Sequence, residues 1–272
     1  MSKIKTPNFH THTNFCDGKN TPEETVVFAI YNGFKSIGFS GHGYTPFDTS
    51  YCMHDTEGYI AEIKRLKEKY KNQIEIYLGV EEDAFAPVQR EKFDYVIGSC
   101  HYVFVNGEYY PVDSGVENFK KLLSVFKSDP VRLAESYYGA FTQYINSRKP
   151  DIIGHFDLIT KYDEKMGERY FLGNTEYEKV AEKFLLKAVK SGCVFEVNTG
   201  AIARGLRSSV YPSEKLLTVL KKENARLILS ADVHKAQGLD AYFEETKRYL
   251  KDIGFKNTFI FSKGEFCPIE LD

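Results

Sequence analysis

Short β-prone runs alternate with longer helical patterns almost throughout the 272 residues, and this alternation restricts the fold more than any other feature. Strands are expected at 6–12, 36–40, 75–81, 95–99, 151–155, 194–197 and 226–230, with a further short run at 257–261. Repeated strand–helix units imply a mainly parallel sheet, because parallel neighbours need a crossover and the helix supplies it. The runs Asp151-Ile-Ile-Gly and Leu227-Ile-Leu-Ser are apolar on both faces, as strands covered on both sides are. No Pro/Gly/Ser-rich linker, repeat or shift in composition divides the chain. One barrel-like α/β domain spanning 1–272 is expected.

The intervening helices carry their own signals. Thr21-Pro22-Glu23-Glu24 is a capping box with proline at the first helical position, and Gly33 is a natural stop. Tyr59, Ile63, Leu66 and Tyr70 form one apolar stripe, and the lysines between them a solvated face. A second stripe runs from Tyr177 through Val180, Ala181, Phe184, Leu185 and Ala188 to Val189. Ser213 is expected to cap a helix through Leu216, Leu217 and Leu220. Tyr242, Phe243, Tyr249, Leu250 and Ile253 mark the last helix, ending at Gly254. Residues 102–127 are the least regular and read as a loop with some helix near 117–126.

Composition removes several classes of function. Apolar residues at 42% and charged residues at 27% exclude a mainly disordered chain. A formal charge of −2 gives no electrostatic basis for nucleic-acid or membrane-surface binding. The five cysteines (Cys16, Cys52, Cys100, Cys193, Cys267) show no CxxC spacing, so neither a zinc ribbon nor a disulfide scaffold is indicated. No apolar run approaches the ~20 residues that span a bilayer, and the first residues lack a secretory pattern. A cytoplasmic protein is expected.

The seven histidines carry the chemistry by where they fall. In His10-Thr11-His12 the side chains of a strand alternate, so both imidazoles share a face about 6.6 Å apart. Asp17 follows in the next turn. His42 follows the run at 36–40, Glu81 ends 75–81, His101 follows 95–99 and His155 ends 151–155. Asp232 and His234 follow 226–230, again two apart. Six of seven histidines thus sit at the C-terminal ends of expected strands, which in a closed α/β barrel converge on one mouth. His10, His12, Asp17, His42, Glu81, His101, His155, Asp232 and His234 exceed what one ion needs and suit two or three. Imidazole with carboxylate favours Zn²⁺, Fe²⁺ or Mn²⁺ over Mg²⁺ or Ca²⁺.

These motifs resemble the PHP (polymerase and histidinol phosphatase) superfamily. They are His10-Thr-His12 with Asp17, Ser40-Gly-His42, Gly79-Val-Glu81, Gly98-Ser-Cys-His101, Gly154-His155-Phe-Asp157 and Ala231-Asp232-Val-His234, in the superfamily's order. Tyr109-Tyr-Pro-Val-Asp113, the run from Pro150 to Asp157 and the run from Glu196 to Arg204 are most similar to its histidinol-phosphatase family. The resemblance implies a distorted (β/α)7 TIM-like barrel with three divalent transition metal ions at the strand C-termini. It implies a first ion on His10, His12, Glu81 and Asp232. A second would be bridged by Glu81 and held by His101 and His155, and a third held by Asp17, His42 and His234. Some superfamily members have histidine where this chain has Asp17; either residue can ligate.

The implied reaction is hydrolysis of L-histidinol phosphate, a small phosphate ester, as a step of histidine biosynthesis. Its expected nucleophile is a hydroxide bridging the first two ions, with Asp232 as proton acceptor. Arg204 and Arg207, in Ala203-Arg-Gly-Leu-Arg-Ser208, are candidate donors to the phosphate. Another phosphatase or phosphodiesterase substrate, such as a nucleotide or a phosphotyrosyl protein, remains open, as does a non-catalytic metal-binding module. His54 reads as a surface or lid residue, and Cys16 and Cys100 as packing. Tyr102, Tyr109 and Tyr110 are pocket-lining or packing aromatics, and Asp157 could orient a ligand imidazole. The sequence leaves the oligomeric state open.

Overall fold

The computed structural model describes residues 5–271. In chain order the elements are α1 (Pro22–Tyr31), β1 (Ser36–Phe39), α2 (Thr56–Lys69), β2 (Glu75–Asp83), β3 (Tyr95–Ser99), β4 (Tyr102–Val105), β5 (Glu108–Pro111), α3 (Val116–Val125) and α4 (Pro130–Arg148). There follow β6 (Ile152–Ile153), α5 (Thr175–Val189), β7 (Val194–Asn198), α6 (Gly200–Ala203), α7 (Glu214–Lys222), β8 (Leu227–Ser230), α8 (Phe243–Ile253), β9 (Asn257–Ser262) and β10 (Glu265–Glu270).

Eight strands form one curled sheet in the order β1-β2-β3-β6-β7-β8-β9-β10, a half-barrel parallel from β1 through β9. β10 turns back antiparallel on β9. The strand expected at 6–12 is present only as an irregular stave. Its Asn8 and Thr11 carbonyls accept from Gly38 and Ser40 beside β1, both at 2.9 Å. On the other side it exchanges hydrogen bonds with Val233 beyond β8, from the His12 N–H and to the His10 carbonyl, at 2.9 and 3.0 Å. The segment thereby bridges β1 and the chain just beyond β8. Its irregularity has a cause: Phe9 packs into the inner cluster while the next residue, His10, also faces inward against Glu81. A regular strand cannot turn consecutive side chains to one side.

Each strand feeds two apolar layers. Ile76, Leu78, Val80, Val96, Ile153, Phe195, Val197, Leu227 and Leu229 pack outward into the large core that includes the helices. Phe9, Tyr77, Tyr95, Ile97, Ile152, Val194, Ile228 and Phe261 form a separate inner cluster. Further along the same inward faces the side chains become polar at Glu81, Glu196, Ser230 and Asp232. Tyr95 fixes the inner cluster. Its hydroxyl lies 2.5 Å from the Phe9 carbonyl and 3.0 Å from that of Phe39, and a Cβ on Gly38 or Gly79 would collide with it.

Local signals account for the helix ends. The capping box on α1 forms, with the Thr21 hydroxyl accepting from Glu24 N–H and the Glu24 carboxylate from Thr21 N–H. Gly33 follows with φ +81°, and Gly254 ends α8 with φ +102°. Ser213 does precede α7, but its side chain makes no capping hydrogen bond. The irregular region 102–127 is the β4–β5 hairpin followed by α3. The longest helix, α4, starts on Asp129, whose carboxylate accepts from the N–H groups of Val131 and Arg132. Among the described residues no helix is long and apolar enough to cross a membrane.

Candidate metal centre

At the C-terminal mouth of the sheet the chain gathers the nine ligand-type side chains singled out above, and Glu81 is their hub. The pairing of β1 with β2 continues past β1: Glu81 N–H donates to the Gly41 carbonyl at 3.1 Å, and Gly43 N–H to that of Glu81 at 2.8 Å. This sets His42 beside Glu81. Glu81 Oε2 lies 3.1 Å from His10 Nε2, 3.5 Å from His12 Nε2 and 3.0 Å from His42 Nδ1. Its other oxygen, Oε1, lies 3.0 Å from His155 Nε2 and 3.3 Å from His101 Nε2. One buried carboxylate thus has imidazoles ranged on both oxygens.

Asp232 closes the first group, with Oδ1 3.2 Å from His12 Nε2 and 3.7 Å from His10 Nε2. Its φ of +46° is in the left-handed region, which aspartate tolerates better than most residues. A third group lies nearer the surface, where Asp17 Oδ2 is 3.1 Å from His234 Nε2 and Oδ1 is 3.7 and 3.8 Å from His12 and His42. The ligand atoms of His12, Asp17, His42 and His234 all lie within 4.8 Å of one another. The same holds within His10–Glu81–His155, His10–His12–Asp232 and His42–Glu81–His101.

The electrostatics of these side chains demand positive charge. Burial alone would raise the Glu81 carboxyl, but His10, His42 and His101 outweigh it and hold the group well below the usual carboxylate range. Burial would likewise raise Asp232, and Arg204 and His10 keep it ionised. His12 is driven down to about 3 by burial and by its neighbours His234 and His42, so it is neutral and its lone pair is free. His10 Nε2, His12 Nε2, Glu81 Oε2 and Asp17 Oδ1 are buried and make no aligned hydrogen bond. Such orphans cost about 1–3 kcal/mol each. Four of them among imidazole and carboxylate donors fit divalent transition metals, whose ligation removes that cost.

A cavity of about 320 Å³ opens onto this group, within the size range of small-molecule sites. Arg204 reaches its wall and forks onto Asp232, with Nη2 3.0 Å from Oδ2 and Nη1 2.9 Å from the backbone carbonyl. Arg207 takes a different path. Gly205 turns the chain with φ +65°, and the Arg207 guanidinium is buried over the Tyr211 ring, 3.9 Å from Asp157 Oδ1 and off the cavity wall. Asp157 is therefore engaged by Arg207 and by the Ser213 N–H, and orients no imidazole. The chain leaves β6 at Ile153 and turns before reaching Asp157.

Four residues that sequence reasoning passed over belong to the site. Lys161 faces the cavity, paired with Asp113 at 3.1 Å. Burial would lower this lysine, and Asp113 outweighs it and raises it. Glu196 and Asp83 hold the Nδ1 atoms of His10 and His101. The available signal for Glu196 was a charge between Phe195 and Val197 in an otherwise apolar strand.

The remaining candidates lie at the margins. Tyr102 lines the cavity, whereas Tyr109 stacks on Phe47 at 3.8 Å and Tyr110 bonds Glu108. His54 is exposed and contacts the Thr49 carbonyl at 2.9 Å. Cys16 lies 3.6 Å from His12 Nδ1, and burial pushes its thiol up to about 11. Cys100 donates to the Tyr102 carbonyl.

Comparison with known proteins agrees with this architecture. A protein from Schizosaccharomyces pombe named "Probable histidinol-phosphatase" is 28% identical over 94% of this chain and 89% of its own length. The histidinol-phosphatase of Bacillus subtilis is 25% identical over 86% and 96%. A crystal structure of histidinol phosphate phosphatase from Lactococcus lactis, complexed with zinc, L-histidinol and phosphate, superposes with a TM-score of 0.73 at 21% identity. That match covers 97% of this chain and all of the other, and it shows the same fold. The PHP domain model matches residues 8–200, well over half of the chain, which therefore belongs to the PHP domain family.

Proposed function

We propose that this protein is a metal-dependent phosphomonoesterase that hydrolyses L-histidinol phosphate to L-histidinol and phosphate, in histidine biosynthesis. The observation that carries the reading is the Glu81 carboxylate, with His10, His12 and His42 on one oxygen and His101 and His155 on the other. The names of the relatives support the substrate, and the zinc, L-histidinol and phosphate in the Lactococcus lactis structure support both substrate and metal chemistry. We take residues 1–272 as one catalytic domain, since site residues come from both ends of the chain.

Three divalent cations would be held here: one by His10, His12, Glu81 and Asp232, one by Glu81, His101 and His155, and one by Asp17, His42 and His234. When bound, such ions acidify water, neutralise phosphoryl oxygens and polarise the ester oxygen. The chain's own residues do the rest. Arg204 and Lys161 present cationic donors on the cavity wall and orient the phosphate. Asp232 Oδ1 accepts a hydrogen bond from the attacking water, while Arg204 on Oδ2 keeps the carboxylate ionised. Arg207 holds its loop through Tyr211 and Asp157.

The test is phosphate release from L-histidinol phosphate beside a nucleoside monophosphate and phosphotyrosine. A kcat/KM at least about 100-fold higher for L-histidinol phosphate is expected, as for a site that pairs polar groups of its substrate. Equal efficiencies would overturn the substrate assignment.

A further inference from the structure

Glu196 is 1% exposed, and both of its oxygens are fully engaged. Oε1 lies 2.5 Å from His10 Nδ1 and also accepts from the Ser230 hydroxyl. Oε2 accepts from the backbone N–H of His155 at 2.6 Å and from Asn198 Nδ2 at 3.0 Å. With four donors on two oxygens it has no lone pair directed at the cavity, so it is not a further metal ligand. An ionised carboxylate only accepts. His10 Nδ1 must therefore carry a hydrogen, which leaves Nε2 as the ring atom able to ligate a cation. That atom faces Glu81 Oε2 at 3.1 Å and Asp232 Oδ1 at 3.7 Å and makes no aligned hydrogen bond of its own.

The two halves of the Glu196 carboxylate reach different parts of the centre. In the assignment proposed above, His10 would hold the cation shared with His12 and Asp232, and His155 the one shared with His101. We propose that Glu196 is a positioning residue that couples these two cation positions, fixing the ring of His10 and the backbone of His155 through one rigid group. This rests on the metal reading given above. Asp83 is the one-sided counterpart: its Oδ2 accepts from His101 N–H at 3.0 Å and lies 3.1 Å from His101 Nδ1. It touches only the second position. The Asp17–His42–His234 position contacts neither carboxylate.

Glu196→Gln keeps the shape but replaces one acceptor by a donor, so one half must face an N–H it cannot pair. Metal per chain is measured by plasma mass spectrometry after dialysis against graded chelator, with thermal unfolding of the metal-free proteins recorded alongside. Glu196→Gln is expected to lose affinity at two positions together, by about 10–100-fold, and to keep the third. Asp83→Asn is expected to weaken one position only. Glu196→Gln that loses a single ion, or none, overturns the coupling. A wild type that takes up no cation overturns the metal reading, and this inference with it. Because Glu196→Gln could fail to fold, the zinc-loaded wild type gives a second test through two-bond ¹H–¹⁵N spectra of its imidazoles. His10 protonated on Nδ1 and ligated through Nε2 is expected, and the opposite tautomer overturns the assignment.

Discussion

Glu81 is the residue on which two of the proposed cation positions depend. Its two oxygens meet different imidazoles, so on the proposed ligand sets Glu81→Ala would remove a ligand from both sides at once. Cation charge stabilisation is worth several kcal/mol, and each 1.36 kcal/mol is tenfold in rate. Steady-state kinetics should therefore show kcat reduced by about 10³-fold or more. Arg204→Ala should lower kcat/KM by about 10–100-fold, the worth of one charge-assisted hydrogen bond. Arg204→Lys should not restore it, because the fork on Asp232 is bidentate. Ligand-type residues were legible in the sequence because histidines and acids recur at one strand end after another, where packing alone would favour apolar side chains. Their supports were not. Lys161, Asp113 and Asp83 look like ordinary charges until the fold brings them to the cavity. Arg204 and Arg207 are both offered by the sequence as phosphate donors, and the fold brings the first to the cavity wall and the second over Tyr211.

At the scale of elements, alternation, caps and stripes gave most of the parallel sheet and its helices. The exceptions have physical causes. Residues 6–12 carry a strand-like pattern, but Phe9 and His10 both serve the barrel interior, and the regular ladder yields to that demand. The helix α4 has a clear start in Asp129-Pro130, yet its polar residues blur the stripe behind it. The β4–β5 hairpin is short and half exposed, so no burial pattern marks it. Glycines separate two kinds of structural cost. Gly33→Ala meets open space and pays only for φ +81°, about 1–2 kcal/mol by chemical denaturation, with activity unchanged. Gly79→Ala drives a Cβ into Tyr95. It should cost about 1–3 kcal/mol and also lower kcat, because Glu81 lies two residues along the same strand.

For the whole molecule, the proposed centre joins residues from both ends of the chain, so cation binding should be linked to folding. Chelation should abolish phosphate release and lower Tm, and metal should restore both. The metal-free protein should also respond to pH. Burial lowers His10 and His101, but Glu196 with Glu81, and Glu81 with Asp83, outweigh it and raise both well above 6.5. A raised imidazole stabilises the fold fully below its unfolded value of 6.5. That stabilisation is lost as pH rises through the folded value. Denaturation of the metal-free protein should thus show stability falling above about pH 6.5, whereas the metal-loaded protein, with cations in place of those protons, should not follow it. The most direct test of the account is anomalous diffraction from a metal-loaded crystal. The predicted result is three cation peaks, with Glu81 Oε1 and Oε2 ligating different ions. A single peak, or peaks that leave Glu81 unligated, would contradict it.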